Sequence, residues 1–485
     1  MDVLRHQRVL IVGLGETGLA CARWCAMHGA QLSVLDTRAA PPNLEALHAC
    51  APEAVVLQTA DALDVANFDR ILAGPGLSPH AEPLKTILAE ASAAGKTVDS
   101  EIELFAQALA WLAATQNYRP RLIGITGTNG KTTTTMLTHL LVERAGLTVR
   151  VAGNVRPAAL DALREALADG ALPAVWVLEL SSFQLQLTRS LRCDVATILN
   201  ITPDHLDWHA SFAEYVRAKQ SIFAADTVPV VVSASLADAP AADRSIRVGA
   251  GAPARASDYG IAQEGGLRWL CRAVPLPIEG RRKNDGQQPF VLQNLMPADA
   301  LYIRGQHNAL NALTALALVS QLDLPIAPLL HALRDYRGEP HRTEFVATVD
   351  GVDYIDDSKG TNVGATVAAL LGLDRSVVLI AGGDGKGQDF APLASPVQRY
   401  ARAVILFGRD ATHLAQALQN SAVPVETVDG LLPAVVRAAQ LAKPGDAVLL
   451  SPACASLDMF SDYTHRAAVF RQAVEVLALQ TGQPC

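Results

Sequence analysis

The chain is expected to fold as an α/β protein of three domains built on mostly parallel sheets. Three stretches begin alike, with a short buried-looking apolar run, a turn rich in glycine or polar residues, and a helical segment: 8–13, 121–127 and the region from 345 onward. Short apolar runs alternating with amphipathic helices indicate parallel strands covered on both faces. At 485 residues the chain also exceeds one ordinary core, which stops growing near roughly 250–300 residues.

Composition narrows the function. Apolar residues make up 50% and charged residues 18%, a globular balance with ample core material. A formal net charge of −8 argues against a nucleic-acid partner or an anionic membrane surface, though local basic pockets for phosphate are compatible with it. The seven cysteines (Cys21, Cys25, Cys50, Cys193, Cys271, Cys454 and Cys485) are odd in number and scattered, as expected of reduced thiols. The first apolar run, 9–12, is short and meets a glycine turn at once, so it reads as a strand and not a signal sequence. A cytoplasmic protein without membrane insertion is expected.

The first block starts at 8–13 and continues with strands at 32–35 and 71–73. Gly13-Leu-Gly15-Glu-Thr-Gly18 is a full GxGxxG opening a helix, and Asp36 closes the next strand where a ribose-binding acid is expected. By itself this reads as a nicotinamide site, although any nucleotide-like ligand can use the same turn. The second block follows a polar patch, 115–120, taken as a linker. Its Gly124-Ile-Thr-Gly127-Thr-Asn-Gly130-Lys131-Thr132-Thr133 can wrap backbone N–H groups around phosphate oxygens, aided by the helix N-terminus behind it. Lys131 is placed for the β- and γ-phosphates and the Thr132 hydroxyl for Mg²⁺. Strict P-loop spacing is not met, because Ile125 stands where the first glycine belongs.

Further along the same block, Glu179 ends an apolar strand at 174–179, on the edge where open parallel sheets bind ligands. It can hold Mg²⁺ there; the plainer reading is a helix-capping region with Ser181 and Ser182. Asn200-Ile-Thr-Pro-Asp204-His205-Leu-Asp207-Trp-His209 follows another strand, and its oxygen-rich surroundings suit Mg²⁺ or Mn²⁺ better than zinc. Ser211 and Glu214 read as a capping box opening a helix whose face carries Phe212, Tyr215, Val216, Ile222 and Phe223. Lys219 falls on that face, either snorkelling outward or desolvated for chemistry. Between 234 and 297 the pattern dissolves into Ala, Gly, Pro and charge, including Gly280-Arg-Arg-Lys-Asn-Asp-Gly286, and is read as irregular hairpins and insertions.

The third block has expected strands at 345–349, 352–355, 377–380, 404–407 and 447–450. Three polar clusters follow strands: Asp356-Asp357-Ser358-Lys359, Gly382-Gly383-Asp384-Gly385-Lys386 and Ser451-Pro-Ala-Cys454-Ala-Ser456. Each alone reads as a turn; together they suggest one shared cleft.

In these motifs the sequence resembles the Mur ligase family across all three blocks. The resemblance rests on Gly127-Thr-Asn-Gly-Lys-Thr132, Gly153-Asn154, Glu179-Leu-Ser-Ser-Phe-Gln184, Asn200 to His205, Gly305-Gln-His-Asn308-Ala-Leu-Asn311, Pro340-His-Arg342, Asp357-Ser-Lys359-Gly-Thr361-Asn and Ser451 to Ser456. It implies a Rossmann-like UDP-substrate domain at 1–115, a central P-loop-type ATPase domain at 116–340 and a Rossmann-like amino-acid domain at 341–485. Gly127 to Thr133, Asn308, Asn311, Arg342 and Asp357 would surround ATP. Thr132 and Glu179 would hold one Mg²⁺, with His205 and a carbamylated Lys219 holding a second, and Lys131, His205 and Lys219 would serve catalysis. Glu16, Thr17, Asp36, Thr37 and Arg38, with Asn154, Ser181 and His205, would contact the UDP-linked substrate. Lys359, Thr361, Lys386, Ser456 and Tyr463 would line an amino-acid pocket.

The implied reaction joins D-glutamate to UDP-N-acetylmuramoyl-L-alanine in peptidoglycan precursor synthesis, and a monomer is expected. Three positions depart from the family's habit: Gly74 for a frequent serine, Gly360 for alanine and Tyr463 for phenylalanine. The rival readings are a sister ligase with another amino acid, a nicotinamide-dependent oxidoreductase and a non-catalytic P-loop module. The oxidoreductase leaves the central phosphate loop unexplained.

Overall fold

The computed structural model describes residues 4–61, 63–232, 245–277, 288–373 and 375–482. The chain forms two compact units, one of Met1–Ile201, His205–Pro297 and Asn311–Leu333, the other of Thr202–Asp204, Ala298–Leu310 and Arg334–Cys485. The first unit carries two sheets and the second carries one, which gives the three α/β domains expected.

The first sheet has five parallel strands in the order Val55–Leu57, Gln31–Leu35, Arg8–Val12, Arg70–Ala73 and Val98–Asp99. Helix Glu16–Met27 leaves the first strand through the glycine turn. A Cβ on Gly18 would lie 2.0 Å from the Gly13 carbonyl oxygen, so only glycine lets the helix start this close to the strand.

The central sheet has nine strands. From Val149–Gly153 it runs through Val175–Glu179, Arg121–Thr126, Val195–Ile198, Val228–Val232, Ile246–Val248 and Tyr259–Glu264, all parallel to their neighbours. It then closes with the antiparallel Leu267–Pro275 and Phe290–Pro297. The antiparallel pairing expected of hairpins within 234–297 therefore forms, but as regular strands of the central sheet and not as irregular insertions. These are outer strands with many exposed residues, and their polar content hides them from a search for buried parallel runs. Residues 233–244 and 278–287, including the basic segment from Gly280 to Gly286, lie outside the described residues.

The expected linker at 115–120 is largely structured. Helix Glu101–Gln116 runs into it and ends at Asn117, a left-handed cap. Tyr118 then docks on the central domain, donating from its hydroxyl to the Pro173 carbonyl at 2.7 Å and accepting from Trp176 Nε1 at 2.9 Å. The first two domains consequently share one core, in which Phe105 meets Trp176 edge-on at 5.4 Å.

A buried acid reinforces this junction. Helix Ala159–Ala168 has Ala158 at its N-cap and no cap of its own, and Glu101 supplies one by accepting from the Leu160 N–H at 2.6 Å. Glu101 is 1% exposed, its Oε2 has no hydrogen-bond partner among the described residues, and burial pushes its carboxyl up to about 7. The folded state thus keeps a proton that the unfolded chain releases, and this contribution to stability is lost as pH rises from about 4.5 to about 7. Glu101→Gln is expected to flatten that part of the stability profile, so thermal denaturation of both proteins from pH 5 to 8 checks it. Parallel profiles would mean that Glu101 is ionised in both states.

The second unit has six strands in the order Glu344–Val349, Val352–Asp356, Ala447–Leu450, Val377–Gly382, Ala401–Phe407 and Val425–Thr427. All five expected strands form, and Val425–Thr427 adds an unanticipated edge. The first pair is an antiparallel hairpin, because Asp350 and Gly351 both adopt positive φ (52° and 75°), as a two-residue primed turn requires. No helix among the described residues is long and apolar enough to cross a membrane. The six described cysteines are free, and Cys485 lies outside the described residues.

Candidate active site

The phosphate loop sits at the carboxyl end of strand Arg121–Thr126, flanked by Val175–Glu179 and Val195–Ile198. Three of the sequence motifs therefore meet at one sheet edge. Gly130 (φ 83°) turns the chain into helix Lys131–Arg144, and a Cβ there would come within 2.8 Å of the Asn311 side chain. Asn200 clamps the loop with three bonds: its carbonyl accepts from Thr128 N–H at 2.9 Å, its Oδ1 from Asn129 N–H at 2.8 Å, and its Nδ2 donates to Asn129 O at 3.0 Å. Sequence reasoning quoted Asn200 only as part of a motif. Its bracing role appears once the two strands lie side by side.

Lys131 folds over the loop, its Nζ donating to the Gly127 and Thr128 carbonyls at 2.9 and 2.8 Å. Thr132 and Thr133 are buried in the first helical turn. Glu179 is 2% exposed; Asn154 Nδ2 donates to its Oε1 at 2.8 Å, while Oε2 is buried with no hydrogen-bond partner among the described residues. A buried carboxylate oxygen left open beside a phosphate loop fits an oxygen-seeking cation. Asn154 is pinned too, since Gly153 (φ 104°) passes so close to the Glu179 backbone that a Cβ would clash at 2.3 Å.

Lys219 does not snorkel. It is 2% exposed on helix Phe212–Gln220, with Nζ donating to the Gly127 carbonyl at 3.0 Å and lying 4.6 Å from the Tyr215 ring centroid. Tyr215 in turn bonds the Thr128 hydroxyl at 2.8 Å. The N-terminus of that helix differs in one detail from the expected box. Ser211 Oγ accepts from Glu214 N–H, but the Glu214 carboxylate accepts from Ala210 N–H. His205 takes a left-handed backbone (φ 57°) with its ring 4.7 Å from Phe183. Ser181 caps helix Ser182–Gln186 in a complete capping box with Gln184, the plainer of its two readings.

In the first domain Glu16, Thr17, Asp36, Thr37 and Arg38 line one cavity of about 460 Å³, walled opposite by Gly74 to Leu77. Asp36 is not free for a ribose. It accepts from Leu14 N–H at 2.8 Å and from the Arg38 guanidinium at 2.9 and 2.6 Å, and the Arg38 bonds bring its carboxyl down to about 2. Arg38, half exposed and ion-paired with Asp36, lines the cavity with its remaining N–H groups. That arrangement suits an anionic ligand better than the 2′-hydroxyl of a nicotinamide dinucleotide.

The second unit gathers the third-block clusters at the ends of three adjacent strands. Asp357 is buried, accepts from Thr343 N–H at 3.1 Å and Ser451 Oγ at 2.6 Å, and is pushed up to about 7 by desolvation. A Cβ on Gly360 would lie 2.6 Å from Asp357 Oδ2 and 3.0 Å from Ser451 Oγ, which explains glycine there. Lys359 Nζ stands 5.1 Å from the Tyr463 ring centroid. Ser456 is buried; Lys386 is exposed in a left-handed turn, on a segment tied to the Ser456 loop by paired backbone bonds between Asp384 and Ala455. Thr361 is half-buried beside Lys359.

Arg466, which the sequence reading missed, joins these pieces. Fully buried, it donates to Ser358 Oγ and O at 3.0 and 2.8 Å and to Cys454 O at 3.1 Å, while Ser358 Oγ donates to Tyr463 O. An arginine on an otherwise amphipathic helix carries no signal of this role. Asn308 and Arg342 line a separate cavity of about 610 Å³ with Arg304, Arg337 and Arg375, where Arg337 stacks on Tyr302 at 4.0 Å.

Comparison with known proteins decides the family. The Mur ligase MurD-like N-terminal domain matches residues 7–98, the Mur ligase middle domain 125–319 and the Mur ligase glutamate ligase domain 341–454. The chain belongs to the Mur ligase family. Among its relatives, the UDP-N-acetylmuramoylalanine–D-glutamate ligase of Burkholderia thailandensis is 56% identical over 98% of both chains, and that of Burkholderia mallei 55% identical over the same share. Solved structures share the fold of this Mur ligase at low identity. The MurF ligase of Thermotoga maritima in complex with ADP has TM-score 0.56 at 15% identity, covering 98% of this chain and 99% of that one. The UDP-N-acetylmuramate-alanine ligase of the same organism has TM-score 0.55 at 18%, covering 97% and 100%.

Proposed function

We propose that this Mur ligase joins D-glutamate to UDP-N-acetylmuramoyl-L-alanine at the expense of ATP, in peptidoglycan precursor synthesis. It is an ATP-dependent amide-bond-forming ligase. The observation that carries the reading is one sheet edge holding the phosphate loop, an open buried Glu179 oxygen and Lys219, in a chain 56% identical over nearly its whole length to a ligase named for that reaction.

A carboxylate becomes a substrate for amide formation once its oxygen is converted into a leaving group, here by transfer of the γ-phosphoryl group to give an acyl phosphate. Catalysis of that step is chiefly positioning and charge neutralisation. Lys131, released from the loop carbonyls it now holds, would pair with the β/γ-phosphates, and the loop N–H groups braced by Asn200 would cradle them. Thr132 and Glu179 would hold one Mg²⁺ and His205 with a carbamylated Lys219 a second; these ions would supply charge neutralisation. Asn308, Asn311, Arg342 and Asp357 would complete the ATP site. The first-domain cavity, with Arg38 at its wall, would take the UDP moiety, and Asn154, Ser181 and His205 the muramoyl end. Lys359, Thr361, Lys386, Ser456 and Tyr463 would receive D-glutamate, with cations enough for its two carboxylates. The amine then attacks the acyl carbon and phosphate leaves. Domain boundaries at 1–115, 116–340 and 341–485, a cytoplasmic location and a monomeric state belong to the same proposal.

D-Glutamate is expected to release phosphate from ATP at least ~100-fold faster than L-glutamate, L-alanine or diaminopimelate with UDP-N-acetylmuramoyl-L-alanine as acceptor. Equal rates with L-alanine or diaminopimelate would move the chain to a sister ligase.

A further inference from the structure

The wall of the first-domain cavity is fastened to the helix that carries Lys219. Gly74 to Leu77 and Pro83 line the cavity, and the intervening residues reach the central domain. Ser78 Oγ donates to the Trp208 carbonyl at 2.7 Å. His80 Nε2 lies 2.9 and 3.0 Å from the two oxygens of Glu214, whose side chain also accepts from Ala210 N–H at 2.9 Å and Gln186 Nε2 at 3.1 Å. Glu214 precedes Tyr215 on the helix Phe212–Gln220, and the helix reaches the phosphate loop twice, through Tyr215 to Thr128 and Lys219 to Gly127. The segment 205–209 is drawn in as well, since the Trp208 N–H donates to the His205 carbonyl.

We propose that His80 is a positioning residue that couples occupancy of the UDP cavity to the geometry of the phosphate loop, acting through Glu214 and its helix. The inference rests on the functional reading above, which assigns the cavity to the UDP-linked acceptor and the loop to ATP. The path is short and made of directional bonds. A ligand that moves the 74–83 wall shifts Ser78 and His80, and through them the start of the helix whose buried end holds the loop carbonyl. Coupling of this kind is reciprocal: each ligand raises the affinity for the other by one common factor. His80 is about half exposed while Glu214 is largely buried, so removing the imidazole leaves the core packing and the Ser78–Trp208 bond in place but cuts the wall's direct link to the helix.

The test is calorimetric binding of UDP-N-acetylmuramoyl-L-alanine with and without a non-hydrolysable ATP analogue and Mg²⁺. In the unaltered protein the analogue is expected to tighten acceptor binding by at least ~5-fold. In His80→Ala that factor should fall to within about 2-fold of unity while the affinity for the analogue alone stays within about 2-fold. His80→Gln, whose amide N–H can still reach Glu214, should restore most of the coupling. An undiminished coupling factor in His80→Ala, or its loss together with the separate affinity for the analogue, would overturn the proposal while leaving the functional reading standing. An unaltered protein that bound the acceptor without any coupling would also overturn it. One that bound no acceptor at all would bring down the functional reading and the coupling together.

Discussion

Replacing Lys131 by alanine is expected to lower kcat by about 10³-fold and leave the fold intact. The ammonium now rests on two loop carbonyls at 2.9 and 2.8 Å, both within four residues of it. Losing those bonds costs about 1 kcal/mol, a shift of roughly 2–4 °C in Tm for a domain of this size. The transition state for phosphoryl transfer loses a fixed cation in a partly dehydrated site, where such groups are worth about 10²–10³ in rate. Phosphate release under saturating ATP and acceptor measures the first effect and thermal denaturation the second. A variant that turned over within tenfold of the unaltered protein would remove Lys131 from the phosphate site.

Lys219→Ala carries the second large effect. Lys219 is 2% exposed; burial costs an ammonium its hydration, and the neutral amine can add carbon dioxide and become a carboxylate. Bound Mg²⁺ favours that carboxylate in turn. Lys219→Ala should therefore lose about 10²-fold or more in rate and regain part of it with tens of millimolar acetate, which can enter the vacated space. Lys219→Met, which fills that space, should be as inactive and should not respond to acetate. Labelled bicarbonate gives a readout independent of turnover: a carbamate carbon resonance in the unaltered protein with Mg²⁺ and none in Lys219→Ala. A fully active Lys219→Ala, or no such resonance in the unaltered protein, would leave Lys219 as a structural support of the loop carbonyl at Gly127.

The contrast between these two lysines shows what is legible in a sequence. Lys131 could be placed from its neighbours alone, because a glycine turn, a lysine and a threonine at the head of a helix are local chemistry. Lys219 could not, since an amphipathic helix presents a lysine outward or inward with the same spacing. Only its burial, against the Tyr215 ring one turn earlier and the Gly127 carbonyl 92 residues earlier in the chain, decides it. The same holds for Asp36. Its spacing from the glycine turn reads as a ribose acid, but Arg38 and the Leu14 N–H occupy its oxygens. The hairpin turn at Asp350-Gly351 was present in the sequence and overlooked, because a search tuned to parallel strands does not look for primed turns.

By itself the sequence determined the α/β class, the three-domain succession and the positions of the phosphate loop, Glu179 and the third-block clusters. These follow from local periodicity and turn chemistry, in which neighbouring residues suffice. Tertiary structure alone decided the polar connections: the cap that Glu101 lends to helix Ala159–Ala168, the clamp of Asn200 on the loop, the brace of Arg466 and the fastening of His80 to Glu214. A buried or half-buried polar side chain is stable only with partners, and its partners here come from other elements of the chain. No periodicity encodes them, so they become visible only when the elements have met.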